Sequence, residues 1–376
     1  MMRLTLLFLL VLFKTEAQTS DLNVADSLYV NGNYSKAIEQ YKTHENQSEV
    51  FDKMAKAYVA IGNYDAALNN YKASIEANPE NALIKFEYAR LLSKTKKYKA
   101  ATKVFNDLVY VDYKNPNYHY ELGLVLEQLK DSTAQNRFFN AFQLDSTHQK
   151  AIYRLAKFHL KKGHTKLVDK YIETGLSSYK NNKELISLKA QSFYAKKQYD
   201  KAIIWFEKLV SLHVSSVFIH EKLGNSYSKI LDYENGIIHF LKALEFNPKD
   251  SNNLYMLGQL YERNNDLINA EKYLSKSLFL QDVALDAEYI QLGKVLNRQN
   301  KHKEALDVFK KAVHENPKSD QAYFFLVLTK DQYYKDMDTK IKGYEVFVKK
   351  FPKSRLIEFA ERRISALKKE DFLKTD

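Results

Sequence analysis

Ten histidines are the residues of this chain best suited to metal binding or acid–base catalysis. None lies in an HExxH arrangement, and none shares a helical face with a second metal-ligating residue at a suitable spacing. His159 and His164 come nearest, but on a continuous helix residues five apart lie on different faces. We interpret these histidines as ordinary surface or interface residues.

Sequence patterns for nucleophilic and phosphate chemistry are also missing. The chain has no cysteine, which excludes a thiol nucleophile, thiolate metal sites and disulfides. It has neither a glycine-rich phosphate-binding loop nor a GxSxG turn for a nucleophilic serine. The sequence therefore predicts a protein that is not an enzyme, with no catalytic residue, no metal and no cofactor.

The sequence repeats about every 34 residues, as from Ala55 to Ala89. Small residues recur at one position of each repeat, namely Ala55, Ala89, Gly123, Ala156, Ala190, Gly224, Gly258 and Gly293. A second small series follows at Ala67, Ala101, Ala134, Ala202, Ala270 and Ala305, with Val168 and Gly236 in the two remaining slots. Four residues after each of these lies a bulky residue: Tyr71, Phe105, Phe138, Ile172, Phe206, Phe240, Leu274 or Phe309.

Close packing of two helices explains this pattern. Two helices approach closely where one offers glycine or alanine and the other inserts a large side chain into the gap. Each repeat is therefore predicted to be a helix hairpin. The five prolines support the same register, because all of them fall at repeat boundaries: Pro79, Pro116, Pro248, Pro317 and Pro352.

The repeats resemble the tetratricopeptide repeat, whose pattern is Leu-Gly, a tyrosine three residues later, then alanine, an aromatic residue and a closing proline. The unit KLGNSYSKILDYENGIIHFLKALEFNP matches it at Leu223, Gly224, Tyr227, Phe240, Ala243 and Pro248. Gly236 replaces the usual alanine, and the fifth unit departs most, with Val168, Ile172 and Gly175. The resemblance implies an all-α, right-handed α-solenoid of about ten tandem helix-turn-helix repeats with a C-terminal capping helix.

Four segments are predicted along the chain. Residues 1–17 have the pattern of a signal peptide, because Arg3 precedes a largely apolar run of ten residues and Thr15 and Ala17 are small. A run of ten residues is too short for a membrane-spanning helix, which needs about 20. Residues 18–47 are predicted to form an abbreviated first repeat, residues 48–353 the tandem array, and residues 354–376 the capping helix and tail.

The resemblance also implies where a partner binds. In this family, the residue directly after each first small residue and the residue three before it line a concave groove. Together with Arg154 from a basic stretch, the predicted groove residues are Lys56, Phe86, Arg90, Tyr120, Tyr153, Arg154, Lys157, Gln191, Asn225, Tyr255, Gln259 and Lys294. Their polar groups suit hydrogen bonding to an extended polypeptide, and their rings suit stacking beside it. The alternative is that these are simply solvated side chains.

The partner is predicted to be a protein or peptide rather than nucleic acid. The net charge is +12, and the basic surplus is concentrated at residues 82–115 and 149–182, so an acidic partner is one option. The leading hypothesis is a non-enzymatic scaffold or adaptor of the bacterial cell envelope, periplasmic or secreted, with no membrane segment after signal cleavage. An accessory subunit of a machinery for cell-wall or surface-polysaccharide assembly is the alternative. The oligomeric state stays open.

Overall fold

The computed structural model describes residues 22–280 and 285–375, and all regular structure in these ranges is helical. The predicted all-α class is confirmed. In the described residues, ten helix hairpins follow one another in tandem and one further helix comes after them. The predicted signal peptide at residues 1–17 lies outside the described residues. No helix within them is both long and apolar enough to cross a lipid bilayer.

The chain divides into two units between Leu185 and Ile186, within the eleventh helix. The first unit contains α1 at 22–30, α2 at Tyr34–Lys42, α3 at Phe51–Ala60, α4 at Tyr64–Ala77, α5 at Ala82–Lys94, α6 at Tyr98–Val111, α7 at Pro116–Gln128, α8 at Ala134–Leu144, α9 at Gln149–Lys161 and α10 at Thr165–Ser178. A short 3₁₀ helix at Gln47–Glu49 separates the first two hairpins. Odd-numbered helices up to α19 are first helices of hairpins, and even-numbered ones are second helices.

The second unit starts in α11. Its helices are α11 at Lys183–Ala195, α12 at Tyr199–Ser211, α13 at Val217–Lys229, α14 at Tyr233–Phe246, α15 at Ser251–Arg263, α16 at Leu267–Phe279, α17 at Asp286–Arg298, α18 at His302–Glu315, α19 at Asp320–Tyr333, α20 at Met337–Lys350 and α21 at Ile357–Thr375. All five prolines lie between hairpins or, for Pro116, at the first position of α7, where a missing amide costs no helical hydrogen bond.

The turn within each of the first nine hairpins has a nearly constant geometry. The second residue after the first helix adopts a positive φ, for example 78° at Gly62 and 62° at Lys96. The next amide then bonds back to the helix, as from Lys97 N to Leu92 O at 2.8 Å. A left-handed backbone is costly for a residue other than glycine, and Leu231 adopts it as well, with φ 66°. Packing of the two helices therefore imposes this turn at positions where the local sequence does not favour it.

Close contact between the two helices depends on the small residues of the first helix. A Cβ atom built on Gly224 would lie 2.7 Å from the Phe240 ring, and one on Gly293 would lie 2.5 Å from the Phe309 ring. Both rings are fully buried. The aromatic ring thus occupies the space of the absent side chain, which is the packing that the repeat pattern predicts.

The fifth hairpin, which departs most from the repeat pattern, packs by a variation of the same contact. Val168 and Ile172 of α10 are both buried. At Gly175 a Cβ atom would lie 2.2 Å from Leu185 and 3.0 Å from Ile152. Glycine here admits the side chain of Leu185 from the start of α11, so the smaller residues of α10 leave no gap on that side.

Helix α21 packs against the tenth hairpin through an apolar cluster and an ionic one. Its Ala360 and Leu367 are buried against Tyr344 and Phe347 of α20. The buried carboxylate of Asp331 accepts hydrogen bonds from Arg363 at 2.7 Å and forms a 3.2 Å ion pair with Lys340. Although burial raises the pKa of Asp331, these two bonds hold it below its usual value. The three helices are therefore tied together by matched charges as well as by apolar contact.

A size-swap experiment tests the contact between Gly224 and Phe240. We expect Phe240→Ala to cost about 3–5 kcal/mol in free energy of unfolding through the cavity it leaves, and Gly224→Leu to cost about 1–3 kcal/mol through overpacking. The double variant is expected to recover about half of the summed loss, because leucine fills the space of the ring. Denaturant unfolding measures the free energy of unfolding of the two single variants and the double variant. The control is Ile238→Ala, on the exposed side of α14. Strict additivity of the two losses would contradict the contact.

Removal of residues 354–376 tests the role of α21. The truncation uncovers Tyr344 and Phe347 and removes the guanidinium partner of Asp331. We expect the remaining hairpins to stay helical but to self-associate through the uncovered apolar surface. Light scattering coupled to gel filtration measures the mass over a range of concentrations. Phe359→Ser, at an exposed position of α21, is the control and should leave the mass unchanged. A truncated chain with the mass behaviour of the full chain would show that α21 covers nothing essential.

Candidate functional site

First helices of four consecutive hairpins line one open concavity in the first unit. Its volume is about 640 Å³. Tyr29 of α1, Lys56 of α3, Arg90 of α5 and Glu121 of α7 are on its wall. Tyr71 of the second helix α4 also lines it, and its hydroxyl donates to Glu87 Oε2 of α5 at 3.0 Å. Residues nearly one hundred positions apart in sequence therefore line the same concavity.

A second concavity of about 390 Å³ shares two of these wall residues, Arg90 and Glu121. It adds Phe86 of α5, Tyr118 of α7 and Lys150 of α9. The guanidinium of Arg90 lies over the Phe86 ring, 5.8 Å from its centroid. The two concavities thus adjoin along the pair Arg90 and Glu121, and together they extend from α1 to α9. We call this surface the first-helix face of the first unit.

Ion pairs fix the side chains at this boundary. Arg90 Nε lies 3.6 Å from Glu121 Oε1, and the arginine side chain is well exposed while the glutamate side chain is mostly buried. Burial raises the pKa of Glu121, and the charges of Arg90 and Lys150 oppose that rise. Lys56 is held in the same way, with its Nζ atom 3.0 Å from Asp52 Oδ2. The polar groups of the face are therefore partly ordered before any partner arrives.

The charge of this face differs from the simple basic surface that the composition suggests. Arg154 NH1 lies 2.8 Å from Glu127 Oε2, so it is paired, as are Arg90 and Lys56. The carboxylate partner of Lys56 is on the same helix, and those of Arg90 and Arg154 are on a neighbouring first helix. The face consequently offers hydrogen-bond donors and acceptors side by side rather than a uniform positive field.

The predicted residues of α7 and α9 do not line these two concavities. Lys157 Nζ donates to the Tyr153 hydroxyl at 3.3 Å and lies over its ring. The prediction that Tyr120 lines the groove is wrong. Its side chain is only 8% exposed, and its ring packs against Phe138 and His148. The position three before the small residue points partly into the hairpin there, so Tyr120 is a core residue.

In the second unit the structure brings Tyr255 and Lys294 together. Both line a concavity of about 400 Å³ with Ile290 and Phe325, and the ammonium of Lys294 lies 5.9 Å from the centroid of the Phe325 ring. Gln259 lies one turn after Tyr255 on α15. This concavity is again formed by first helices, here α15, α17 and α19.

The two remaining predicted residues make local bonds. Gln191 donates to the Ser187 hydroxyl at 3.0 Å, and Asn225 donates to the backbone carbonyl of Glu221 at 2.8 Å. Both side chains are half-buried. They do not line the concavities described above, and each is satisfied within its own helix.

Sequence reasoning missed several carboxylates of these faces. Glu87 and Glu121 lie two residues before the small residue of their repeats, and Glu127 and Glu262 lie four after it. Glu262 accepts from Arg298 NH1 at 3.1 Å, as Glu127 does from Arg154. A helix face includes positions about one turn beyond each predicted residue. Extending the predicted positions by one turn would have identified Glu127 and Glu262.

His159 and His164 require a second correction. Their Nδ1 atoms lie 3.1 Å apart, so the two rings are not on different faces. The prediction assumed a continuous helix, but α9 ends at Lys161 and the turn brings His164 back towards it. His159 also stacks on Tyr171. Across the part of the chain that the structure describes, no three histidine or carboxylate side chains converge as metal ligands do.

Family models for the tetratricopeptide repeat match residues 58–122 in the first unit and residues 239–272 and 289–319 in the second. A TPR repeat-containing protein of Methanocaldococcus jannaschii is 24% identical over 314 residues, covering 66% of this chain and 55% of its own length. One of Bacillus subtilis is 23% identical over 248 residues, covering 62% and 57%. The chain thus spans little more than half the length of these relatives.

Among solved structures, the C-terminal part of a TPR repeat-containing protein from Cytophaga hutchinsonii has a similar fold. Its TM-score is 0.52 at 20% identity, over 64% of this chain and 99% of that one. The matched segments fall on the helix hairpins of both units, and the same small and bulky positions recur in each hairpin. This chain therefore contains tetratricopeptide repeats, which the family models match at residues 58–122, 239–272 and 289–319.

Proposed function

We propose that the chain is a non-enzymatic scaffold that binds a protein or peptide through the first-helix face of the first unit. One observation carries the proposal: consecutive first helices present Lys56, Arg90 and Glu121 around one open concavity, beside the rings of Phe86 and Tyr118. A fold of tandem helix hairpins creates such extended surfaces, and proteins of this fold serve generally to bind proteins.

An extended polypeptide suits this face better than a compact ligand does. Its backbone offers a donor and an acceptor at every residue, which match the paired basic and acidic side chains from α3 to α9. Lys56 and Arg90 are already held by ion pairs, so ordering them on binding costs less entropy than ordering free side chains. Phe86 and Tyr118 add apolar area where a side chain of the partner lies across the helices.

We also propose that the scaffold acts outside the cytoplasm, in the bacterial cell envelope. Support for this location comes from the sequence, where Arg3 precedes an apolar run at residues 4–13 and Ala17 ends a candidate cleavage site. The acidic character of the partner is not part of this proposal, because the cations of the first-helix face are paired with carboxylates.

Peptides selected from a random display library on the folded protein provide the probe. Fluorescence anisotropy measures the Kd of such a peptide for the wild-type chain and for one double variant that carries both Lys56→Gln and Arg90→Gln. Glutamine is chosen because a carboxylate at position 90 would repel the mostly buried Glu121. Loss of two charge-assisted contacts, at about 1.5–3 kcal/mol each, predicts a Kd at least about tenfold weaker.

The matched control replaces Lys72 and Lys103 by glutamine, since both are exposed on second helices of the same unit and the net charge changes equally. We expect the control to change Kd by less than about twofold. Equal weakening in both double variants would show attraction by overall charge alone. Unchanged binding in the Lys56 and Arg90 variant would place the binding surface elsewhere on the chain.

A further inference from the structure

A chain of hydrogen-bonded side chains crosses the seventh hairpin and joins it to α12. Ser215 Oγ, in the turn before α13, lies 2.8 Å from His220 Nε2. His220 Nδ1 lies 3.0 Å from His239 Nδ1 of α14. His239 Nε2 in turn lies 2.9 Å from Glu207 Oε1 of α12. One continuous connection therefore links three helices.

With Glu207 ionised and both rings neutral, only one arrangement of protons satisfies every bond. The carboxylate accepts, so His239 must donate from Nε2 and accept at Nδ1 if it is neutral. His220 then donates from Nδ1 and accepts at Nε2, where the Ser215 hydroxyl donates. The gap between the two facing Nδ1 atoms thus contains a single proton. A second proton there would place two N–H groups against each other at 3.0 Å.

The histidine pair is enclosed by the helices around it. His220 is 2% exposed and His239 is 5% exposed. From α13 the Tyr227 ring stacks on His239 at 5.5 Å, and its hydroxyl lies 3.4 Å from Glu207. From α14 the Phe246 ring lies against His220. An added proton therefore has no solvent to stabilise it.

The charged groups near the two histidines act on different side chains. Glu207 of α12 is the anion in direct contact, and Lys242 of α14 is the cation whose charge acts on both His220 and Glu207. Asp232, at the start of α14, acts on Tyr227. A single carboxylate thus accepts one hydrogen bond from the pair, and it cannot offset two imidazolium charges placed next to Lys242.

We propose that the pair His220 and His239 is an acid-sensitive latch: with one shared proton it holds α13 against α12 and α14, and a second proton releases it. No catalytic step is involved. The latch is a property of this hairpin alone, since the contact needs histidine on both helices. Because α13 also carries Glu221, which accepts from Asn253 of α15 at 2.9 Å, release loosens the first-helix side of this unit as well.

Burial of His220 determines how the stability of this hairpin changes with pH. Burial, then the charges of His239 and Lys242, lower the pKa of His220 from 6.5 to about 4. The neutral ring is therefore favoured in the folded hairpin, so its contribution to stability is complete above pH 6.5 and is lost as the pH falls from 6.5 towards 4. Such a weak base also cannot activate Ser215 as a nucleophile near neutral pH.

Hydrogen exchange near pH 7 and near pH 5, corrected for intrinsic rates, tests the latch in the full chain. A shift from 6.5 to about 4 predicts that α13 and α14 amides lose about 30-fold in protection at the lower pH. The reference is the hairpin of α3 and α4, which contains no histidine. In His220→Gln, which removes the ring whose pKa is lowered, most of this pH-dependent loss should disappear. A loss equal in the wild type, the variant and the reference hairpin would overturn the proposal.

Nitrogen chemical shifts of the two imidazoles in the wild-type chain provide a test that needs no variant. At neutral pH we expect a proton on Nδ1 of His220 and on Nε2 of His239, with both rings uncharged. The reverse tautomers, or a His220 ring already cationic near pH 6, would overturn the proposal even if the His220→Gln variant failed to fold.

Discussion

Contact between a bulky side chain of the second helix and a small residue of the first determines how closely the helices of a hairpin approach. Phe240 occupies the space that a side chain at position 224 would take, and Phe309 does the same at position 293. Since these rings are fully buried, the helix separation in each hairpin is fixed by the volume of one side chain. The turn must then close over that separation, which explains why residues such as Leu231 adopt a left-handed backbone there.

The same contact determines which surface is left for binding. Bulky residues of second helices cover one side of each first helix, and the opposite side carries the polar groups. Side chains there pair with the next first helix along the chain, as Arg90 does with Glu121 and Arg154 with Glu127. Core packing therefore places ordered donors and acceptors along consecutive first helices of a unit.

Sequence alone predicted the helical class and the tandem hairpins, because the small and bulky positions follow directly from close packing. It also identified Lys56, Arg90 and Lys294 as side chains that line concavities. It did not predict the ion pairs, since Glu121 and Glu127 meet their partners on a helix about 30 residues away. It misjudged Tyr120 and the pair His159 and His164, where the outcome depends on side-chain direction and on where a helix ends. The contact between His220 and His239 needs the crossing of α13 and α14, which no spacing within one helix specifies.

Hydroxyl-radical footprinting with a selected peptide tests most directly whether the first-helix face of the first unit is the binding surface. Aromatic side chains are labelled when exposed, and this unit carries them on both sides. Phe86 and Tyr118 lie in the concavities, whereas Tyr110 is 91% exposed on the second helix α6. The account predicts that bound peptide lowers labelling of Phe86 and Tyr118 and leaves Tyr110 unchanged. Protection of Tyr110 with Phe86 and Tyr118 still labelled would contradict it.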